Sequence, residues 1–312
     1  MDGARVEVFA PDGIGEIPAG TDLAVVAAPF VVEGDVVVVT SKVVSKAEGR
    51  VVAGDREQAI VDETVRVVAR RGPTSIVETR LGVVMAAAGV DASNVAPGFL
   101  VLLPVDPDAS ARRIREGIAA ATGHNVAVIV SDTAGRAWRH GQTDLALGVA
   151  GLQPLESFDG AVDSYGNPLA VTAPAVADEL AGIAEVVTGK LGGRPLTVVR
   201  GLAGRVLPPT EHGPGARVLV REAGTDMFGL GTREAVTAAV AGHDQHLFGA
   251  PATVEDLLHA LNACGLSARS RPDGVEVAAP ADARLSVLAF AHGWQVHAEQ
   301  SGDSATTLVR LS

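Results

Sequence analysis

The residues of this chain best suited to chemistry are carboxylates set close to hydroxyls. In "VAVIVSDTAGRAWRHGQTDLALG", an apolar run, Val126–Val130, ends at Ser131 and delivers Asp132 and Thr133. A carboxylate beside a hydroxyl offers oxygen ligands that suit a hard divalent cation. A glycine turn then presents Arg136, Arg139 and His140, and two arginines near such a cation would complete a polyphosphate clamp. The plainer reading is that Asp132 and Thr133 cap the turn while the arginines pair with Asp144 or meet solvent. Spacing does not decide between the two. In "AAAGVDASNV", Asp91, Ser93 and Asn94 follow small residues that let backbone approach closely. Taken in isolation, that segment reads better as a helix stop at Gly89 followed by an Asx turn.

A third stretch, "DVVVVTSKVVSKAEGR", carries Ser41, Lys42, Ser45 and Lys46 at the end of an apolar run. Read as a continuing strand, it alternates Lys42, Val44 and Lys46 with Ser41, Val43 and Ser45. Two lysines on one face are common at a strand edge, so charge alone assigns no role. Several familiar designs are missing. There is no GxxxxGK[ST] phosphate loop, and "GIGEIPAG" (Gly13 to Gly20) is glycine-spaced without being GxGxxG. No HExxH, GxSxG or Cys–His arrangement is found. His243, His246, His259, His292 and His297 lack ligand spacing, and Cys264 falls in an apolar helical pattern expected to be core.

The elements that must position these residues alternate along the chain. Strands are expected at Val6–Phe9, Val36–Thr40, Ser75–Glu78, Leu100–Leu103, Val126–Val130 and Leu196–Val199. Helices are expected at Gln58–Arg70, Ser110–Ala121 and Ala175–Val187, the last with Val176, Leu180, Ile183, Ala184 and Val187 at helical spacing. The pattern is mixed α and β without a strict βαβ rhythm. Near Gly242 the character changes. "AGHDQHLFGAPAT" reads as a linker, Thr253 as the cap of a helix "VEDLLHALNACGL". Strands at Ala268–Arg271, Val275–Ala278 and Thr307–Leu311 and a helix in "ARLSVLAFAHGW" would follow. This divides the chain into residues 1–242 and a small α+β module, 243–312, marginal as a freestanding core.

Composition bounds the function. With 47% apolar but only 3% aromatic residues, the core must be built from Val, Ala and Leu. The longest apolar run, Leu23–Val32, is broken by Pro29 and far short of the about 20 residues of a membrane span. No signal peptide is recognised at the start, and the lone cysteine excludes a CxxC site. A soluble, cytoplasmic protein is expected. The net charge of −12 argues against nucleic acid as a partner, while leaving room for small anions held by local cations.

In combination these stretches resemble one family, the F420-0:γ-glutamyl ligases (coenzyme F420:L-glutamate ligases). The resemblance runs from about Gly13 to Thr232. It rests on "DVVVVTSKVVSKAEGR", "ETRLGVVMAAAGVDASNV", "LLPVDPDASA", "SDTAGRAWRHGQTDLALGVAG" and "GTDMFGLGT", in the family's order. It implies an α+β, two-subdomain fold that assembles as a homodimer, here with a small C-terminal α+β appendage. It also implies an amide-bond ligase that adds L-glutamate to the deazaflavin precursor coenzyme F420-0, and then to the γ-carboxylate of the glutamate already attached. GTP is the implied co-substrate, with Mg²⁺ or Mn²⁺ (two ions) and K⁺ as a further ion.

By position, the resemblance assigns Ile14, Gly15, Glu16, Ile17, Ser41, Lys46 and Asn94 to the nucleotide. Val187, Thr188, Gly189, Lys190, Leu191, Gly192, Gly193 and Arg194 fall where the family wraps it again. Asp91, Asp132 and Thr133 match metal ligands. Arg136, Arg139 and His140 are added here as candidates for holding an acyl phosphate or substrate carboxylates. Some bacterial members carry a larger flavin-binding domain at the C-terminus; the tail here is too short for it, so no flavin is expected. Two rivals stay open on the residues: a kinase or nucleotidyltransferase using the same site, and a nucleotide-sensing protein without catalysis.

Overall fold

Val36–Val39 and Val126–Val130 are runs of β-branched and small apolar residues, which pack well on a pleated sheet buried on both faces. In the computed structural model, which describes residues 5–169, 171–297 and 305–311, they become adjacent central strands. The elements as far as Arg200 are β1 (Glu7–Phe9), α1 (Leu23–Ala27), β2 (Val36–Thr40), α2 (Ser41–Ala47), β3 (Val51–Ala53), α3 (Arg56–Glu63), β4 (Thr64–Arg71), β5 (Thr74–Thr79), β6 (Val84–Ala86), β7 (Phe99–Val101), α4 (Pro107–Thr122), β8 (Ala127–Gly135), β9 (Gln142–Ala150), α5 (Val176–Thr188) and β10 (Leu196–Arg200).

A five-stranded sheet of order β1-β10-β2-β8-β9 forms the centre. Its β2–β8 pair is parallel and the other pairs are antiparallel. Alternation sends Val37, Val39, Val128 and Val130 to one face, against Leu23, Ala27, Ile114 and Ile118 of α1 and α4. Val36, Val38 and Ile129 go to the other, against Val176, Ala177, Leu180 and Ala184 of α5. These positions are almost fully buried, and each such side chain contributes roughly 1.5–3 kcal/mol of transfer free energy. Gly117 of α4 sits where a Cβ would lie 2.5 Å from that of Ala24. The helices meet there because that side chain is missing.

One irregularity matters for the site. Val130 pairs with Gly148 but Ser131 pairs with Ala146, so Leu147 is the extra residue of a β-bulge in β9. The bulge resets the alternation: Ala146 and Val149 both pack toward α5, while Leu147 joins Met85 and Leu103 in a separate cluster. Two amides beside it are taken by aspartates. Ala146 N–H donates to Asp178 Oδ1 (2.8 Å), and Val149 N–H to Asp108 Oδ1 (2.8 Å). Gly148 has no Cβ because the backbone of Pro107 would lie 2.2 Å from it.

The second unit gathers Val67–Ser75 with the chain from Arg221 onward. It contains α6 (Thr232–Ala241), α7 (Val254–Ala263), β11 (Ala268–Arg271), β12 (Gly274–Val277), α8 (Ala283–Ala291), β13 (Trp294–His297) and β14 (Thr306–Arg310). A four-stranded antiparallel sheet, order β11-β12-β14-β13, packs Val275, Val277, Trp294 and Leu308 against Leu257, Leu261 and Leu285 of the two flanking helices. By packing, α6 belongs with this unit, although the sequence division at 243 puts it in the first. The tip of the β4–β5 hairpin joins it through Gly231 N–H to Val68 O (2.8 Å).

Several local expectations change. Residues 64–70, expected at the end of a helix, form β4, since Val65, Val67 and Val68 favour a strand once α3 ends at Glu63. "AGHDQHLFGAPAT" is not a bare linker: Leu247 is buried, and Phe248 meets Phe290 edge to face at 5.6 Å. Trp294, expected in a helix, opens β13 and donates its indole N–H to Ala252 O (3.0 Å). Cys264 is exposed at the end of α7, not core.

Arg115 of α4 is 2% exposed and holds the 207–212 segment to the sheet. Its guanidinium donates to the carbonyls of Val126 (2.8 Å), Leu207 (2.8 Å), Pro208 (3.0 Å) and Glu211 (2.6 Å), and to Asn125 Oδ1 (2.8 Å). Arg115→Leu fills similar space but leaves those acceptors without donors. We expect it to lower unfolding stability by about 3 kcal/mol or more in urea titration; a loss below about 1 kcal/mol would mean that water replaces the guanidinium.

Candidate functional site

The site begins where the parallel pair β2–β8 ends. Thr40 is in register with Ser131, so α2 starts beside Asp132. Ser41–Ala47 is helical rather than an extension of the strand. The local β preference of Val43 and Val44 is overridden because the helix carries both into the core beneath α1 and α4. Lys42 and Lys46 then stand one turn apart on a common side, as do Ser41 and Ser45. Ser41 and Ser45 are buried, and Ser45 Oγ has no hydrogen-bond partner among the described residues.

Each lysine has found a carboxylate. Lys46, largely buried, is ion-paired with Glu16 of the glycine-spaced loop. Lys42 Nζ lies 2.5 Å from Asp91 Oδ2 and 2.6 Å from Ser93 Oγ. Asp91 makes the Asx turn expected from its sequence, accepting from Ser93 N–H at 2.8 Å, while also reaching Lys42. Turn residue and charge partner are therefore one residue. The chain enters this turn through Ala87, Ala88 and Gly89 at φ of 52°, 53° and 70°. Left-handed alanines cost on the order of 1 kcal/mol each, and Ala88 is held there fully buried. Gly89 leaves room for Leu103, whose atoms would lie 2.7 Å from a Cβ.

On the other side, β8 continues past Val130 through Asp132 and Thr133 as far as Gly135. Pairing with β9 sets Thr133 opposite Asp144. Asp144 Oδ1 accepts from Thr133 Oγ1 (2.7 Å) and Oδ2 from Ser131 Oγ (2.9 Å). Lys190, in the loop after α5, donates to Thr133 Oγ1 (2.7 Å) and is ion-paired with Glu185. Asp132 Oδ1 accepts the Thr133 backbone N–H (2.9 Å).

The electrostatics follow from this crowding. Burial pushes Asp132 up to about 6; the Thr133 N–H and the charge of Lys42 oppose this, while Asp144 and Asp91 add to it as like charges. Asp144 is also raised, by burial first, against the hydrogen bonds from Thr133 and Ser131. Asp91 is lowered: burial alone would raise it, but hydrogen bonds from Lys42 and Ser93 together outweigh that. Three carboxylates thus share one field with Lys42 and Lys190 at its edges.

Among the described residues no three His, Cys, Asp or Glu side chains converge as a ready metal cage. The donor set fits a different arrangement. Asp91, Asp132 and the Thr133 hydroxyl offer hard oxygens to a cation that keeps water and takes its remaining ligands from phosphate, as Mg²⁺ commonly does. The mutual repulsion of these carboxylates is what a dication would relieve.

The other sequence candidates divide. The 187–194 loop comes to the cluster through Lys190, and Arg194 Nε binds Asp12 Oδ1 (2.6 Å), just before the Ile14–Ile17 loop. Ile17 is buried and Ile14 packs against the same core, so that loop presents Glu16 and backbone rather than its isoleucines. Gly15, Gly192 and Gly193 add backbone, Val187 and Thr188 end α5, and Leu191 is exposed. Asn94 is exposed and left-handed, at φ 56°. Arg136, Arg139 and His140 lie exposed on the β8–β9 connection, with no hydrogen bond or ion pair to the Asp132 cluster among the described residues, and they do not pair with Asp144. Lys42 and Asp144 carry no site assignment from sequence. The first is signalled by its i,i+4 spacing to Lys46 once the segment is read as a helix, the second only by strand pairing across the hairpin.

With the geometry described, comparison with known proteins gives a consistent result. The family described as F420-0:Gamma-glutamyl ligase matches residues 14–201. A coenzyme F420:L-glutamate ligase of Archaeoglobus fulgidus is 39% identical over 221 residues, 64% of this chain and 88% of the relative. Proteins of the same name from Halobacterium salinarum and Halorubrum lacusprofundi are 41% and 42% identical over 224 residues, 62% of this chain and 87% of theirs. The match covers β2, α2, the Asp91 turn, β8, β9 and the 187–194 loop, and the chain belongs to the F420-0:γ-glutamyl ligase family.

Proposed function

We propose that this chain is a GTP- and divalent-metal-dependent, GDP-forming ligase that joins L-glutamate to coenzyme F420-0, then extends it by γ-linked additions, in coenzyme F420 biosynthesis. The observation that carries the reading is the convergence of Asp91, Asp132 and Thr133 with Lys42, Lys46 and Lys190 at one sheet edge, in a chain of this family. Among the described residues no helix is long and apolar enough to cross a membrane. We further propose a cytoplasmic homodimer, with Mg²⁺ or Mn²⁺ and a contributing K⁺, and without flavin.

A free carboxylate is a poor electrophile toward an amine. Transfer of the GTP γ-phosphoryl group to the acceptor carboxylate gives an acyl phosphate and GDP. The glutamate amine then attacks the acyl carbon, the C–N bond forms, the C–O bond to phosphate breaks, and the amine proton leaves to solvent. Such chemistry depends on charge neutralisation and positioning more than on a protein nucleophile. Asp91, Asp132 and Thr133 would hold the cation, whose part is to neutralise the phosphate oxygens. Lys46 and Lys190 bring point charges to the phosphates, and Lys46 exchanges Glu16 for the nucleotide as it binds. The 187–194 loop, glycine-rich and held by Arg194–Asp12, closes backbone around it.

The direct test is a mass spectrum of F420-0 after incubation with GTP, Mg²⁺ or Mn²⁺ and L-glutamate. A gain of one glutamate per cycle, with phosphate release needing all components, is expected. AMP as by-product or a trapped acyl-enzyme would sink the mechanism. Asp132→Asn keeps the bond from Thr133 N–H and removes a crowded charge. Turnover should fall at least ~100-fold, on the order of 3 kcal/mol, while the urea midpoint holds or rises; normal turnover at limiting metal would move the cation elsewhere. Lys46→Ala should raise the KM for GTP by roughly tenfold, about 1.4 kcal/mol, and leave that for glutamate within error. An unchanged GTP KM would remove Lys46 from the nucleotide site.

A further inference from the structure

A concavity lies further along β9 from this cluster, and its guanidiniums carry no role above. It has a volume of about 420 Å³, within the range of small-ligand pockets. Its apolar floor is Leu81, Val83 and the bulged Leu147. Its rim carries three guanidiniums, Arg80, Arg112 and Arg217. Arg80 is committed to Glu63. Arg217 is fixed by donating to Leu81 O (3.0 Å) and lies over Gly82, where a Cβ would be 2.8 Å from Nη1. No carboxylate pairs with it among the described residues. Arg112, on the first turns of α4, has no hydrogen bond or ion pair there either. The two acids of the lining are occupied: Asp106 caps α4 through Ala109 N–H (2.9 Å), and Asp108 Oδ1 takes the N–H groups of Val149 and Ala216.

The pocket is joined to the phosphate–cation cluster by β9 itself. Leu147 is three residues from Asp144, roughly 10 Å at about 3.4 Å per residue, and the bulge places Leu147 in the cluster with Met85 and Leu103 that backs the pocket, away from the α5 face. The wall opposite is tied to α2, since Glu48 at its end accepts from Val105 N–H (2.9 Å) and Ser110 Oγ.

We propose that this pocket binds the carboxylate end of a substrate, with Arg112 and Arg217 as the anion-binding pair and Leu81, Val83 and Leu147 against its aliphatic segment. The inference rests on the ligase reading for the substrate class: a short flexible acid. Free L-glutamate and the carboxylate tail of the deazaflavin acceptor share that chemistry. It moves carboxylate recognition from the exposed hairpin residues Arg136 and Arg139 to Arg112 and Arg217. Paired guanidinium–carboxylate contacts are directional and bidentate, so the reacting groups would be oriented toward Asp132 from one fixed point.

The test uses the full chain and the variants Arg112→Ala, Arg217→Ala, Arg112→Lys and, as a control far along the sequence in α8, Arg284→Ala. Arg112→Ala should raise the KM for one carboxylate substrate at least tenfold, with the GTP KM unchanged and kcat at saturation within a few-fold. Arg112→Lys should recover part of it, and Arg284→Ala should match the parent. Whether the KM for L-glutamate or for F420-0 moves identifies the source of the carboxylate. Unchanged KM values for both substrates in Arg112→Ala and Arg217→Ala would overturn the proposal. Equilibrium binding of L-glutamate and of F420-0, measured with a non-hydrolysable GTP analogue, separates it from the ligase reading. Binding lost in the two alanine variants of a parent that binds but does not ligate keeps the pocket and sinks the ligase. Binding equal in parent and variants, or absent in both, sinks the pocket.

Discussion

The parallel pairing of β2 with β8 is the constraint on which the site depends. Neighbouring strands lie about 4.8 Å apart, and the register Thr40↔Ser131 brings both chains to the sheet edge at the same level. What each chain does next is different. After Thr40 it winds into α2 and stacks Lys42 above Lys46; after Ser131 it stays extended and presents Asp132 and Thr133. In open sheets, ligands gather outside the carboxyl ends of parallel strands. The central sheet has one such pair among the described residues, and the cations and carboxylates meet at its end. The valines behind it supply burial energy and rigidity, and none of them touches the chemistry.

Around that edge the polar groups are balanced in pairs drawn from distant segments. Lys46 meets Glu16, Lys42 meets Asp91, Lys190 meets Glu185 and Thr133, and Arg194 meets Asp12. Partly exposed pairs of this kind contribute little to stability, commonly under about 1 kcal/mol. Their consequence is positional. Each holds a long side chain in place at that edge, and under the proposed function binding would exchange one counterion for another.

The sequence displays the central strands plainly because Val-rich runs bounded by turns admit few other readings, and α4 and α5 because their apolar positions keep helical spacing. It misleads at Ser41–Ala47, where two valines suggest strand and only the tertiary core selects helix. It misleads again at 64–70, where a helical pattern runs past its stop at Glu63. Asp132 and Thr133 are legible as a carboxylate and hydroxyl at a strand end. Asp144 is not, since its part depends on hairpin register, and a one-residue bulge at Leu147 is invisible to a period-2 reading. Asp91 shows why two readings of one residue need not compete: its turn geometry and its charge contact use different oxygens.

The bulge also explains why the Asp144 contacts and the arginine-lined pocket share one strand. A regular β9 would send Leu147 to a sheet face and keep the alternation that buries Ala146; with the extra residue, Ala146 and Val149 both stay on the α5 side and Leu147 is released. The released amides would be costly if left unpaired, at about 1–3 kcal/mol each. Asp178 from α5 and Asp108 from α4 take them, one from each layer that covers the sheet. Asp108 also receives Ala216 N–H, which fixes the segment carrying Arg217. Gly148 lets Pro107 approach that same point, which sets the start of α4 and with it Arg112. The segment at the bulge therefore ties down both the start of α4, which carries Arg112, and the 216–219 segment, which carries Arg217.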